Sequence, residues 1–259
     1  MEGDTVEPPA QRIIPERLVK APAFVLCSLR SGSTLLRVLL NSHPAIVAPH
    51  ELHLYALRVR VAKAFGLPAV TELGLDAREL EHMLWDGILA RELRRSGKAW
   101  IVEKTPQNVF MWQRLLECWP DVRFLVLLRN PLALVDSLSR ARPELSMDRV
   151  EREVLSYAMH VEEARGQVNG HVIRYESLVD RPIEVLSRVC EFLGVEWASG
   201  MIDYGRFEHG PLKPGLGDWS DRIRTGAIAP ARPLPARALL SSELRAIAVS
   251  WGYDPGNLR

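Results

Sequence analysis

The apolar positions of this chain fall into two kinds of segment. Ala23 to Ser28 is a short apolar run, and Arg123 to Leu128, reading RFLVLL, is the strongest such run in the sequence. Unbroken runs of this length are expected of strands buried on both faces, as in a parallel sheet. Trp100 to Glu103 and His171 to Tyr175 form two further strand segments. Between them apolar residues recur at helical spacing. Leu35, Leu36, Leu39 and Leu40 predict a helix over 33–41 that ends before Pro44, and Leu80, Met83, Leu84, Ile88 and Leu89 predict another over 76–95. Further helices are expected over 107–118, 131–140, 148–166, 183–193 and 242–251. Asn130 suits an N-cap and Pro131 the first helical position, where a missing N–H costs nothing. The alternation of strand and helix predicts an α/β fold. The expected form is a P-loop-like, three-layer α/β/α arrangement around a central parallel sheet of about four to five strands.

Pro8, Pro9, Pro15 and Pro22 interrupt any regular element near the start, so residues 1–20 read as a flexible lead-in and 21–259 as a single domain. After Gly194 the periodicity fades into a Gly- and Pro-rich stretch. Composition changes this picture little. With 33 basic and 32 acidic residues the net charge is +1, which gives no global field for nucleic acid or an anionic membrane, so any anion site must be local. No run of about 18 apolar residues is present to span a membrane, and MEGDTVEPPAQ has no signal-peptide core, which makes a cytoplasmic protein the expectation. Cys27, Cys118 and Cys190 lack metal-ligand spacing and read as buried free thiols of a reducing compartment.

Ligands of open parallel sheets bind beyond the carboxyl ends of the strands, so Leu29 to Thr34, Glu103 to Asn108 and Arg129 to Ser137 are expected to converge. The first of these, within FVLCSLRSGST, is a strand–turn–helix junction that presents backbone N–H groups at the positive end of a helix dipole. Gly32 permits close approach, Ser31, Ser33 and Thr34 add hydroxyls, and Arg30 adds a forked cation. An ordinary capped helix would share this composition. A nucleotide kinase would instead carry Gly-x-x-x-x-Gly-Lys-Ser/Thr and a magnesium carboxylate after a strand, yet here RFLVLL runs into Arg129. Arg129 and Ser137 form a second anion-binding pair, with an Arg129–Asp136 ion pair as the alternative. Lys104, at a strand end before Thr105-Pro106, is expected in the same cleft unless it is merely an exposed lysine.

The segments LRSGSTLLR and LLRNPLALVDSLSR resemble, in order and spacing, the two signatures of sulfotransferases that use 3′-phosphoadenosine-5′-phosphosulfate (PAPS). VIRYESLVDRP is similar to a third stretch of that family, and the resemblance extends from about residue 23 to about residue 195. It implies that Arg30, Ser31, Gly32, Ser33 and Thr34 hold the 5′-phosphosulfate, that Arg129 and Ser137 hold the 3′-phosphate, and that Tyr175 lies near the nucleotide. The product would be the desulfated nucleotide, PAP. Arginine at position 30 resembles the tyrosylprotein and bacterial branch, because small-molecule enzymes usually carry lysine there. The family's C-terminal Arg-Lys-Gly stretch is missing, and Lys213 is the nearest candidate.

Sulfuryl transfer resembles phosphoryl transfer: it needs in-line positioning, charge neutralisation on the leaving phosphate and removal of the hydroxyl proton, and it requires no metal. Arg30 and Lys104 are the expected charge stabilisers. For the base, Glu51 follows a His-Pro step as the catalytic glutamate does in the tyrosylprotein branch, and His53 and His50 are the alternatives. A glutamate paired with a loop arginine would be the plain structural reading. PHELHLY is similar to sulfotransferase domains of polyketide synthases of the curacin and olefin-synthase type, which implies a β-hydroxyacyl chain on an acyl carrier protein as acceptor. A free natural product or another hydroxyl-bearing small molecule is the other possibility. Trp219 is expected in a loop covering the nucleotide or acceptor. A non-catalytic nucleotide-binding module is the remaining alternative.

Overall fold

The computed structural model describes residues 16–211, 216, 221–235 and 240–254; Lys213 and Trp219 lie outside them. Among these residues five strands, β1 (Ala23–Cys27), β2 (Ile46–Val47), β3 (Trp100–Glu103), β4 (Arg123–Leu128) and β5 (Gly170–Arg174), form one sheet in the order β2-β3-β1-β4-β5. Every pairing is parallel, and β1 runs in full register with β4 from Ala23 opposite Arg123 to Cys27 opposite Leu127. The connecting helices are α1 (Ser33–Asn41), α2 (Leu67–Glu72), α3 (Ala77–Ser96), α4 (Trp112–Cys118), α5 (Pro131–Ala141), α6 (Met147–Gln167), α7 (Tyr175–Asp180), α8 (Pro182–Leu193) and α9 (Ser242–Ser250).

The two-residue period of the central strands divides the interior into two cores. Phe24, Leu26, Phe124 and Val126 point to one side and pack with Trp85 and Leu89 of α3, Leu115 of α4, Leu132 and Leu138 of α5, Val154 and Val161 of α6, and Leu244 of α9. Ala23, Val25, Cys27, Leu125 and Leu127 point to the other and pack with Leu36, Leu39 and Leu40 of α1, Leu178 of α7, and Leu186 and Leu193 of α8. This is the three-layer arrangement that the apolar runs predict, and burial of each large apolar side chain contributes about 1.5–3 kcal/mol. Helix α1 and strands β3 and β4 have the boundaries read from the pattern. Asn130 caps α5 by accepting from the Leu132 amide, with Pro131 at the first helical position.

Two local expectations are corrected. The helix expected over 107–118 is a 3₁₀ turn, Pro106–Phe110, followed by α4, because Met111 takes a non-helical conformation. Strand β5 ends at Arg174, and Tyr175 opens α7 instead of closing the strand. Edge strand β2, two residues within the short apolar stretch Ala45 to Ala48, is not among the expected strands. It is held by Lys98, whose ammonium donates to the carbonyls of Asn41, His43 and Ile46 at 2.7, 3.0 and 2.8 Å. Residues 16–20 form no helix or strand; within them Arg17 engages Glu79, and the Leu18 and Val19 amides donate to Asp86.

All three cysteines are free and buried, as their apolar settings imply. Burial pushes the Cys118 thiol up to about 12 and the Cys190 thiol up to about 11, and it raises Cys27 as well. A thiol-directed chromogen at pH 8 is therefore expected to find no fast-reacting cysteine in the native protein and all three after denaturation. A fast-reacting thiol in the folded protein would contradict this packing.

Candidate active site

Strands β1 and β4 are neighbours, yet their chains leave for opposite faces, α1 into one core and α5 into the other. Such divergence opens a crevice beyond the strand ends. A cavity of about 420 Å³ lies there, and every strand end contributes to it. The wall is made by Arg30, Gly32, Ser33 and Thr34 after β1, Glu51 and His53 after β2, Pro106 and Gln107 after β3, Arg129 and Ser137 after β4, and Tyr175 after β5.

On one side the cavity is lined by the loop after β1, by Arg129 and by Tyr175. Gly32 enters α1 with φ +90°, a conformation that favours glycine, and its Cα lies so close to the Tyr175 ring that a Cβ would overlap it. Arg30 is held at φ 63°, and its carbonyl accepts from Arg129 Nη1 at 2.7 Å while its own Nε donates to Ser137 Oγ at 3.2 Å. The loop after β1 is thereby fastened to both the end of β4 and α5. The Arg129 guanidinium stacks over Tyr175, 4.3 Å from the ring centroid, and its Nε is buried without a hydrogen-bond partner. Burial pulls this guanidinium down from its ordinary value, opposed by Tyr175, Glu176 and Tyr253, although an arginine stays charged. Glu176 is engaged elsewhere, its oxygens accepting from the Asn130 amide and the Tyr253 hydroxyl. The expected alternative partner, Asp136, is engaged by Arg140. A buried cation left in this state is costly until an anion meets it.

Another part of the wall carries the ionisable groups Glu51 and His53. Lys104 is 1% exposed and its ammonium pairs with Glu51 Oε1, so it is neither a surface lysine nor part of the cavity wall. Glu51 Oε2 lies 3.6 Å from His53 Nε2, and both residues face the cavity. Glu51 therefore pairs with a lysine and a histidine, where a loop arginine was the plain structural alternative. His50 turns its Nδ1 to the Glu51 carbonyl and does not line the cavity. His53 has φ 50°; it and Arg30 are the two non-glycine residues with positive φ among the described residues, and both sit on this cleft. Backbone of this kind costs about 1–3 kcal/mol and persists where surrounding contacts enforce it.

Arg30, Gly32, Ser33, Thr34, Glu51, His53, Arg129, Ser137 and Tyr175 are thus brought to one cavity, whereas Ser31 is fully buried beneath the loop. Sequence reading did not find Arg140, Arg142, Arg222, Arg232 or Tyr204, which also line the cavity. Arg222 and Arg232 lie in the Pro-rich stretch with no periodic pattern, so no signal marked them. Arg140 and Arg142 fall at the end of α5, where a charged residue reads as a solvated helix terminus.

Fold and cleft define an open, all-parallel α/β protein with its cavity beyond the strand ends. The chain belongs to the sulfotransferase family, whose model, described as "Sulfotransferase family", matches residues 22–199. It is 29% identical over 212 residues to nodulation protein NoeE of Sinorhizobium fredii (strain NBRC 101917 / NGR234), covering 67% of this chain and 50% of that protein. It is 24% identical over 198 residues to a protein-tyrosine sulfotransferase of Drosophila melanogaster, covering 70% and 40%. The chain thus spans half the length or less of these curated relatives. Two solved structures share its fold. The sulfotransferase domain from the Synechococcus PCC 7002 olefin synthase has a TM-score of 0.73 at 23% identity, covering 94% of this chain and 99% of that one. The sulfotransferase domain from the curacin biosynthetic pathway has a TM-score of 0.64 at 21% identity, covering 92% and 99%.

The contact between Gly32 and Tyr175 yields a sharp expectation. Gly32→Ala meets both the positive φ and the Tyr175 ring. The variant is expected to bind PAP at least about tenfold more weakly in calorimetric titration, a loss of about 1.4 kcal/mol. Unchanged affinity would show that this loop does not form the ligand-facing wall.

Proposed function

We propose that the protein transfers a sulfuryl group from PAPS to a hydroxyl acceptor, with Glu51 as general base. The observation that carries this reading is the buried Arg129 guanidinium, which lines the cavity with no carboxylate partner among the described residues, in a cavity that also holds the Glu51 carboxylate paired with Lys104. The cradle fits a ligand with phosphates at two ends. Arg129 and Ser137 would receive the 3′-phosphate, the loop from Arg30 to Thr34 the 5′-phosphosulfate, and Tyr175 would border the nucleotide between them. PAPS, when bound, supplies the sulfuryl group and departs as PAP.

Within that frame the chain's own residues have distinct tasks. Arg30 and the N-terminus of α1 offset negative charge on the leaving phosphate. Glu51 takes the proton from the acceptor hydroxyl as the oxygen bonds to sulfur, and Lys104 orients the carboxylate. Pro106, Gln107 and residues of the 221–232 segment complete the wall around the reacting groups. No part of this assignment calls for a metal. His53 is the second candidate base, favoured by its place on the cavity wall and its 3.6 Å approach to Glu51.

For the acceptor we propose a natural-product hydroxyl, and more finely a β-hydroxyacyl chain on an acyl carrier protein. Support comes from the stretch Pro49-His50-Glu51-Leu52-His53-Leu54, which places Glu51 and His53 at the mouth and resembles the synthase-borne domains. The fold shared with the olefin-synthase and curacin domains supplies the frame for this reading but not the acceptor.

Two variants test the assignment. In the presence of a metal chelator, PAP at about 100 times its Kd should stabilise the wild type by about 2.7 kcal/mol, and Arg129→Ala should lose most of that shift. No shift in either protein would refute the nucleotide site. Glu51→Gln should retain PAP binding but lose about 10²–10⁴ in turnover with an acceptor found by mass-gain screening. Full turnover in that variant would transfer the base role to His53.

A further inference from the structure

Glu103 closes β3 and is wholly inaccessible to solvent, yet the transfer chemistry gives it no task. Burial pushes its carboxyl up from the ordinary carboxylate range, opposed by hydrogen bonds from Thr105, Asn108 and the Leu52 amide and by the Lys104 charge. A carboxylate is retained in such a place only where donors meet it. Here the donors come largely from the acceptor side of the cleft. Oε1 accepts from the Leu52 amide at 3.0 Å and from Thr105 Oγ1 at 2.6 Å, while Oε2 accepts from the Asn108 side chain. Thr105 Oγ1 in turn accepts from the His53 amide at 3.3 Å. Two consecutive amides that follow Glu51 are therefore anchored on one buried carboxylate, one directly and one through a hydroxyl. The anchored pair includes His53, whose positive φ needs external enforcement. The next residue along, Lys104, grips the side chain of Glu51 itself.

We propose that Glu103 is a positioning residue that locks the 51–53 loop to the end of β3, so that Glu51 is presented to the acceptor hydroxyl. This rests on Glu51 being the base. A carboxylate serving stability alone would be replaceable without a selective loss of chemistry, since buried ionic groups often contribute little net stability. A positioning group behaves differently, because a misplacement of about 1 Å costs about 10²-fold in rate while leaving remote binding intact.

The test compares Glu103→Leu with wild type. Leucine roughly keeps the volume and removes both acceptor oxygens, so the Leu52 amide and the Thr105 hydroxyl lose their partner whichever way the side chain turns. Turnover is read as PAP released from PAPS with water as the acceptor hydroxyl, a probe that needs no identified substrate. The expected result is a loss of at least about tenfold in turnover, PAP affinity within about twofold of wild type, and faster amide exchange at Leu52 and His53 but not in α1. Thr105→Val removes only the relay to His53 and serves if Glu103→Leu does not fold; it should lose turnover in the same direction with PAP affinity retained. Wild-type turnover and exchange in the folded variants, or PAP affinity falling in step with turnover, would overturn the positioning role. Glu51→Gln, assayed in parallel, keeps the two readings apart. Full turnover there refutes Glu51 as base, whereas exchange at Leu52 and His53 in Glu103→Leu still reports whether the carboxylate holds the loop.

Discussion

The Arg129 guanidinium, buried against the Tyr175 ring and bonded to the Arg30 carbonyl, is the contact on which the cleft depends. It joins the three strand ends that would otherwise diverge: β4 carries the arginine, β5 leads into the tyrosine, and β1 leads into the loop that accepts the hydrogen bond. Tyr175 in turn leaves room only for glycine at position 32, so the turn into α1 and the placing of the guanidinium are one constraint. A cation fixed in this way, with Glu176 taken up elsewhere, gives the protein a local positive site despite a net charge of only +1.

The acceptor wall is organised by the opposite charge. Glu103 holds the backbone of the 51–53 loop, and Lys104 holds the Glu51 side chain, so consecutive residues at one strand end serve backbone and side chain respectively. The two walls meet across a cavity whose strained residues, Arg30 and His53, face it from either side. Strain concentrated at these two points, and enforced by Ser137, Arg129 and Thr105, fits a site kept in one geometry before any ligand arrives.

The fold was legible where burial on both faces imposes an unbroken apolar run, as in β1 and β4, and where local chemistry marks a boundary, as with Asn130 and Pro131. It was illegible where the stabilising group lies elsewhere in the chain. Strand β2 exists because Lys98 and the Ala45 carbonyl hold it, and no pattern within Ile46–Val47 announces that. The strand-like residues Val172 and Ile173 carry the eye through Tyr175, yet the chain turns helical there to bring the ring under Arg129. In the site, the loop residues Arg30 to Thr34 and the pair Arg129 and Ser137 stood out because a strand–turn–helix junction is a local feature. Arg222 and Arg232 did not, because their arrival at the cavity is set by tertiary packing of an irregular segment. Glu103 was visible as a charge ending an apolar strand, but its donors at Leu52 and Asn108 are not adjacent in sequence.

The most direct measurement is a calorimetric comparison of PAP with adenosine 5′-phosphate, its analogue without the 3′-phosphate, both in the absence of divalent metal. A cleft built around Arg129 and the loop from Arg30 to Thr34 predicts saturable one-to-one binding of PAP. It further predicts affinity at least about tenfold weaker, or about 1.4 kcal/mol, once the 3′-phosphate is removed. Equal affinity for the two nucleotides, or no binding of PAP, would contradict the assignment of the buried arginine to a phosphate.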